Sequence, residues 1–159
     1  LAAPVAPSLY DAPHLLLQKF PAPAFTATTA LDFSGARAGD AAGLIVFGYS
    51  YAWIGLRHTA AGLRLVQLTH VDAHQAPAPT ESASLAAPSA KVLLRVTVSA
   101  DAKCRFAYSF DGHAFTDFGS ELQATVAKWV GAKVGLFAAA GSATAGTGHA
   151  DFDFFRVTT

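Results

Sequence analysis

Short segments in which apolar and polar side chains alternate recur along most of the chain, and this pattern strongly limits the available folds. The clearest examples are residues 24–33 and 91–99, in which every second side chain is apolar except Thr29. Successive side chains of a strand point to opposite sides, so a period of two residues is typical of strands that bury one face. No segment keeps a helical period for ten residues. The chain is therefore predicted to be all-β.

About ten short strands are predicted, separated by turns rich in Gly, Pro and Asp. They cover residues 15–20, 24–33, 43–48, 51–58, 63–71, 91–99, 104–110, 114–118, 133–139 and 149–157. Tyr49-Ser50 and Asp111-Gly112 are the expected two-residue hairpin turns. Residues 72–89 lack any period and are predicted to be a long surface loop with at most one short strand. This spacing predicts two packed antiparallel sheets in a jelly-roll sandwich.

The composition fits one packed domain and argues against several classes of partner. The chain has 159 residues, of which 52% are apolar and 14% are charged. Its 11 basic and 11 acidic residues cancel, and no Lys or Arg cluster is present, so nucleic-acid binding is not expected. No run of about 18 apolar residues predicts a membrane span. The single cysteine, Cys104, lies in an alternating segment and is interpreted as a buried, inert thiol.

The two parts of the chain differ in character. Residues 1–13 hold three prolines and four alanines without a period, which predicts an extended linker remnant before a domain at residues 14–159. The sequence contains no Met, even at position 1. We therefore expect a piece of a longer protein, with a neighbouring domain upstream.

Several stretches of sequence resemble one known family. They are LYDAPHLLLQKFPAPAFTATT (residues 9–29), GLIVFGYSYAWIGL (43–56), KVLLRVTVSADAKCRFAYSFDGHAF (91–115), WVGAKVGLFA (129–138) and ADFDFFRV (150–157). Together they resemble the C-terminal concanavalin A-like domain of family 43 glycoside hydrolases, the β-xylosidases and arabinofuranosidases. The resemblance implies an accessory domain, because the catalytic five-bladed propeller of such enzymes has no counterpart here.

The resemblance implies one of two functions, neither of them catalytic. Some relatives are classed as xylan-binding, so the first is a carbohydrate-binding module that holds xylan or xylo-oligosaccharides near the upstream propeller. The second is a structural module that packs on the propeller and shapes its active site, with little glycan binding of its own. A loop of this domain can place an aromatic side chain beside the catalytic pocket in the full enzymes. As part of a bacterial glycosidase, the chain is expected to be secreted or periplasmic.

The densest candidate sugar-binding surface is an aromatic group around the first predicted hairpin. Sugar rings stack on flat apolar surfaces, and fixed polar groups replace water at their hydroxyls. The alternation places Ala52, Ile54 and Leu56 on one face of a strand and the aromatic residues on the other, and later strands add polar groups. Buried aromatic residues are common, so a core position for Tyr51 and Trp53 stays equally open. The candidate residues are Tyr49, Tyr51, Trp53, Arg57, Gln67 and Arg95.

Trp129 is a further candidate at the edge of the sandwich, since it follows a predicted loop and precedes a strand. In the family it would be the aromatic residue that meets the catalytic domain. The alternative is a core residue that closes one end of the sandwich, as large aromatic residues at strand ends usually do.

Asp151 and Asp153 alternate with Phe152 and Phe154 on the last strand, which predicts two carboxylates on its outer face. They are candidate ligands of a structural Ca²⁺, although ordinary solvated acids are the more common case. The same spacing would suit a glycosidase acid pair, but such a pair also needs a cleft that desolvates one acid. The six histidines form no metal-binding motif. We expect no required cofactor and no catalytic residue in this chain.

Overall fold

The computed structural model describes Leu9 and residues 15–75, 78–141 and 148–159. These residues form strands and no α-helix, which confirms the all-β prediction. No helix of this part of the chain has the length and apolar character needed to cross a membrane. The strands are β1 (Leu15–Lys19), β2 (Phe25–Asp32), β3 (Ala41–Phe47), β4 (Tyr51–Thr59), β5 (Gly62–His70), β6 (Thr80–Ala86), β7 (Lys91–Val98), β8 (Lys103–Ser109), β9 (Thr116–Asp117), β10 (Leu122–Gln123), β11 (Lys133–Ala139) and β12 (Asp151–Thr158).

Two antiparallel sheets pack face to face, as the spacing of the strands predicts. The first sheet has the strand order β1-β11-β3-β4-β5-β6. The second sheet has the order β10-β8-β7-β2-β12, and β9 pairs with β8 at its side. Every second residue of β2 and β7 is buried, because each of these strands turns one face to the other sheet and one to solvent.

The central strands of the first sheet are buried on both faces, which their near-continuous apolar sequences explain. Strands β3 and β4 are each buried at six successive positions. Their inner side chains, such as Leu44 and Ile54, join the main core between the sheets. Their outer side chains form a smaller second cluster, made of Leu9, Ala41, Ile45, Tyr51, Trp53, Val66, Leu68 and Phe137.

The connections are longer than the sequence predicts. Phe47 pairs with Tyr51, so the first hairpin loop has three residues, Gly48 to Ser50, and the prediction of two was wrong. Gly112 does have the positive φ, 79°, that an Asp-Gly turn requires. Pairing across that turn begins only at Tyr108 and Thr116, however, so the loop is also longer and the returning strand is short.

Three smaller expectations also have an outcome. The aperiodic stretch at residues 72–89 contains one strand, β6. A bulge interrupts the pairing of β12 with β2 between Phe152 and Phe155, so the simple alternation predicted there does not continue. Apart from Leu9, the linker predicted for residues 1–13 lies outside the described residues.

The two ends of the sandwich carry different loops. At one end, which we call the hairpin end, the loop of residues 48–50 joins β3 to β4. At the opposite end, residues 33–40 lead from β2 to β3, and the backbone of His58 bonds to Gly39 and Asp40. Strand β12 also begins at this opposite end, where His149 donates its backbone N–H to the Gly35 carbonyl over 3.2 Å.

Candidate functional site

Tyr51, Trp53 and Arg57 lie side by side on the outer face of the first sheet, as predicted, but the two aromatic rings are core. Trp53 is 3% exposed and Tyr51 is 2% exposed. The ring centroid of Trp53 lies 4.9 Å from that of Phe137. Of the two alternatives that the sequence left open, the structure therefore favours the core position. No open aromatic surface is left at these two residues.

Polar neighbours hold this aromatic group in place. The Tyr51 hydroxyl lies 3.1 Å from Nδ1 of His70. The Arg57 guanidinium lies 5.3 Å from the centroid of the Trp53 ring and forms an ion pair with Glu81 at 3.2 Å. A cavity of about 190 Å³ remains beside Tyr51, Trp53 and Arg57, which is smaller than the 300–1,000 Å³ typical of ligand pockets.

Gln67 and Arg95 do not join this group. Gln67 is fully buried and faces the second sheet, where its side-chain amide exchanges two hydrogen bonds of 3.3 Å with the backbone of Ser120. It thus ties β5 to the loop after β9. Arg95 lies on the outer face of the second sheet, with its guanidinium 3.5 Å from the centroid of the Phe115 ring. Tyr49 lies in the loop of residues 48–50. The six residues predicted to form one surface are therefore divided among four places, and their contact with sugar stays a prediction.

Among the described residues, Trp129 is the most exposed large apolar side chain, at 91%. This exposure excludes the alternative in which it closes one end of the core. It lies in a tight turn, where the backbones of Ala127 and Val130 bond to each other. The φ angle of Trp129 is +70°, which is a rare conformation for a bulky residue.

Three loops are bonded together at the hairpin end, beneath the turn that carries Trp129. Tyr49 donates its backbone N–H to the Val126 carbonyl over 2.9 Å and accepts one from Ala73 at 2.7 Å. The Ser50 N–H donates to Oγ1 of Thr125 over 2.9 Å. The loops at residues 48–50, 71–75 and 124–130 are thus held as one unit.

This unit exposes apolar side chains instead of burying them. Val126 is 63% exposed and Val71 is 59% exposed, and both belong to the same three loops as Trp129. We call Val71, Val126 and Trp129 the hairpin-end patch. Exposed apolar residues that occur singly are ordinary, whereas several of them on neighbouring loops form a candidate interaction site.

Asp151 and Asp153 are exposed on β12. Oδ2 of Asp151 lies 3.6 Å from Nε2 of His149. Ca²⁺ takes six to eight oxygen ligands, and these two carboxylates do not supply them. Within the described ranges, no group of three or more His, Cys, Asp or Glu side chains could hold a metal ion. The residues present do not fit a calcium site, and calcium binding stays a prediction.

The comparison with protein families shows which family the chain belongs to. The sequence profile of a family described as "Beta xylosidase C-terminal Concanavalin A-like domain" matches residues 1–158. The chain belongs to this family. A search of curated proteins finds no match.

Solved structures of family 43 glycoside hydrolases share the fold of this C-terminal concanavalin A-like domain. A bifunctional GH43-CE protein of Bacteroides eggerthii is 26% identical, with a TM-score of 0.88 over 99% of this chain and 20% of that one. An engineered GH43 enzyme with endo-xylanase and exo-arabinofuranosidase activity is 22% identical, with a TM-score of 0.87 over 99% of this chain and 33% of that one. A GH43 protein of Bacillus licheniformis is 22% identical, with a TM-score of 0.80 over 99% and 32%. The chain thus spans a fifth to a third of the length of these proteins.

Sequence reasoning missed the hairpin-end patch as a unit. Val71 and Val126 are single apolar residues beside loops and carry no local signal. The hydrogen bonds that unite the three loops join residues far apart in the sequence: Ser50 is 75 positions from Thr125 and 22 positions from Asp72. Apart from Trp129, which the sequence placed at the edge of the sandwich, only the density of aromatic residues near Tyr49 pointed to this end of the molecule.

Proposed function

We propose that this C-terminal domain is a non-catalytic structural module, which docks through the hairpin-end patch onto the catalytic domain of a family 43 glycoside hydrolase and shapes its active site. The observation that carries the proposal is Trp129, which is 91% exposed on a turn with positive φ. An exposed tryptophan adds little to the stability of its own domain. In a docked complex, the same ring could bury a large apolar area.

The backbone at Trp129 supports this function independently of its exposure. Left-handed backbone costs a bulky residue roughly 1–2 kcal/mol, and glycine would avoid that cost. Strain of this kind persists where the surrounding structure enforces it and is frequent at functional sites. The three bonded loops supply such enforcement, and they fix the backbone position from which the ring projects. A preorganised aromatic residue loses little entropy on binding, which suits an interface anchor.

The experiment compares two variants in the full-length enzyme that carries this domain. Trp129→Ala removes the anchor, and we expect it to lower kcat/KM on an aryl-xyloside or aryl-arabinoside by about 5-fold or more, which corresponds to at least ~1 kcal/mol. Lys128→Ala changes the neighbouring exposed residue of the same turn and serves as the control. The melting temperature of the isolated domain should be unchanged in both. Equal activity of the two variants would contradict docking through Trp129.

Binding of xylan is the second candidate function. The support for it is the endo-xylanase activity named for one relative; the small cavity beside Tyr51, Trp53 and Arg57 does not add to it. Isothermal titration of the isolated chain with xylo-oligosaccharides tests it, and a xylan gel-retardation assay provides a second readout. No heat and no retardation would reject xylan binding and leave the docking proposal intact.

A further inference from the structure

The outer face of the second sheet carries a groove far from the hairpin-end patch. It has a volume of about 710 Å³ and crosses β12, β2, β7 and the turn after β8. Ala30 and Leu93, which pair across β2 and β7, lie on the outer face and are both half-buried. They form an apolar floor. This volume falls within the range of 300–1,000 Å³ that is typical of ligand sites.

Carboxylates line this floor. The groove is lined by one cation, Lys91, and by four carboxylates, those of Asp32, Asp111, Asp151 and Asp153. The Lys91 ammonium lies 3.1 Å from Oδ2 of Asp32. The groove therefore combines several hydrogen-bond acceptors with one donor, around a surface that offers only apolar contact.

Asp111 is firmly oriented by the turn that follows β8. Its Oδ1 accepts hydrogen bonds from the Ser109 hydroxyl at 2.8 Å and from the backbone N–H groups of His113 and Ala114 at 2.8 and 3.0 Å. These hydrogen bonds lower the pKa of Asp111 to about 2, and the bond from the His113 N–H has the largest effect. The carboxylate stays ionised at neutral pH. All three bonds go to Oδ1, so Oδ2 has acceptor capacity for a ligand.

The chemistry of the groove selects a ligand with an apolar face and several hydroxyl donors. A sugar ring has both features: its C–H face would lie on Ala30 and Leu93, and its hydroxyls would donate to ionised carboxylates in charge-assisted hydrogen bonds. A metal ion would not need the apolar floor, and no group of three metal-binding side chains occurs among the described residues. We propose that this groove on the outer face of the second sheet binds a neutral oligosaccharide across Ala30 and Leu93, with Asp111 and Asp153 as hydroxyl acceptors.

The position of the groove makes this site independent of docking. Asp32 and Lys91 pair at the end of the sandwich where residues 33–40 connect the sheets, opposite the hairpin end. A catalytic domain docked at Trp129 would leave the groove open to solvent. The site therefore goes beyond the proposed structural role and would survive its failure.

NMR titration of the isolated chain with xylotetraose tests the site directly. We expect fast-exchange shifts of backbone amides centred on Ala30, Leu93 and Gly112, with Kd in the range of about 0.1–5 mM, or roughly −5.5 to −3 kcal/mol. Spermidine and Ca²⁺ are titrated in parallel as cationic probes. Shifts caused only by the cations, no shifts with xylotetraose, or xylotetraose shifts centred on Trp53 would each overturn the proposal.

A matched pair of variants separates the groove from the rest of the sheet face. Leu93→Arg fills the floor and should weaken binding by about 10-fold or more, or at least ~1.4 kcal/mol. Thr97→Arg adds the same side chain on the same strand and face, four residues along, and should leave Kd within about 2-fold. If Leu93→Arg fails to fold, Asp153→Asn removes the negative charge and replaces one acceptor oxygen with an NH2 donor, and it should weaken binding by about 3-fold or more. Equal affinity of the folded groove variants and Thr97→Arg would overturn the assignment.

Discussion

At the scale of single residues, the two tryptophans show how far side-chain identity falls short of predicting environment. Both lie beside a turn in an aromatic or apolar stretch, and for both the sequence left a core and a surface alternative open. Trp53 is buried at 3% exposure and Trp129 is exposed at 91%. The difference depends on Leu9 and Phe137, which pack in the cluster that contains Trp53 and come from distant parts of the chain.

Replacement of Trp53 by Ala should therefore make the domain less stable. Loss of a buried aromatic side chain leaves a cavity, and we expect a decrease of about 3–5 kcal/mol in the free energy of unfolding. Trp129→Ala is the control and should change this free energy by less than about 0.5 kcal/mol. Urea denaturation of both variants measures the two values. A stable Trp53→Ala variant would show that the ring is not part of a core.

Acid should destabilise the domain through Asp111. Hydrogen bonds from His113, Ser109 and Ala114 lower its pKa in the folded state to about 2 from an ordinary value of 3.8. A lowered folded-state pKa means that the stabilising contribution is complete above pH 4 and is lost as the pH falls through about 2. Urea midpoints at pH 5 and pH 2 should therefore differ less in Asp111→Asn than in the original chain. An equal pH dependence would contradict this role of Asp111.

At the scale of elements, the alternation predicts strands well and connections poorly. Strands such as β7 were predicted to within a residue or two, because one face is core and the other is solvent. The loop at Gly48 to Ser50 was predicted too short, because its length depends on the contact of Gly48 with Thr125 from a distant loop. The residues predicted to form one sugar-binding surface lie in separate places for a related reason. Strand parity assigns Gln67 to a face, but it cannot tell which face of a doubly buried sheet meets the other sheet.

Close approach of strands makes Gly55 essential to the first sheet. A Cβ atom at Gly55 would lie 2.1 Å from the carbonyl oxygen of Ala42, and one at its partner Gly43 would lie 2.1 Å from that of Ile54. Backbone atoms cannot move aside as a flexible side chain can. Gly55→Ala should decrease the free energy of unfolding by about 1–3 kcal/mol.

Gly131 provides the matched control for this change. A Cβ atom there would meet nothing within 4 Å, so Gly131→Ala should be neutral or stabilise the domain by up to about 1 kcal/mol, since alanine reduces the entropy of the unfolded chain. Thermal unfolding of both variants measures the difference. A Gly55→Ala variant as stable as Gly131→Ala would show that β3 and β4 can separate without cost.

At the scale of the whole molecule, the sandwich separates two surfaces. The hairpin-end patch lies at the end where β3 turns into β4, and the acidic groove begins at the other end, where β2 leads into β3. The main core between the sheets connects them. A domain built in this way could hold a catalytic partner at one end and a saccharide at the other, without competition between the two.

Tryptophan fluorescence can follow docking in the whole molecule, because the chain has only two tryptophans and they differ so strongly in exposure. In the isolated chain, iodide should quench the emission of Trp129 and spare that of the buried Trp53. A Trp129→Phe variant identifies the two contributions, since it should leave only the protected component. In the full-length enzyme, the docked Trp129 should become protected from iodide. A Trp53→Phe variant of that enzyme isolates the Trp129 signal within this domain. Subtraction of the emission of the Trp53→Phe, Trp129→Phe double variant then removes the contribution of tryptophans elsewhere in the enzyme. If Trp129 is quenched equally in the isolated chain and in the full-length enzyme, the ring faces solvent in both, and the domain must dock through another surface.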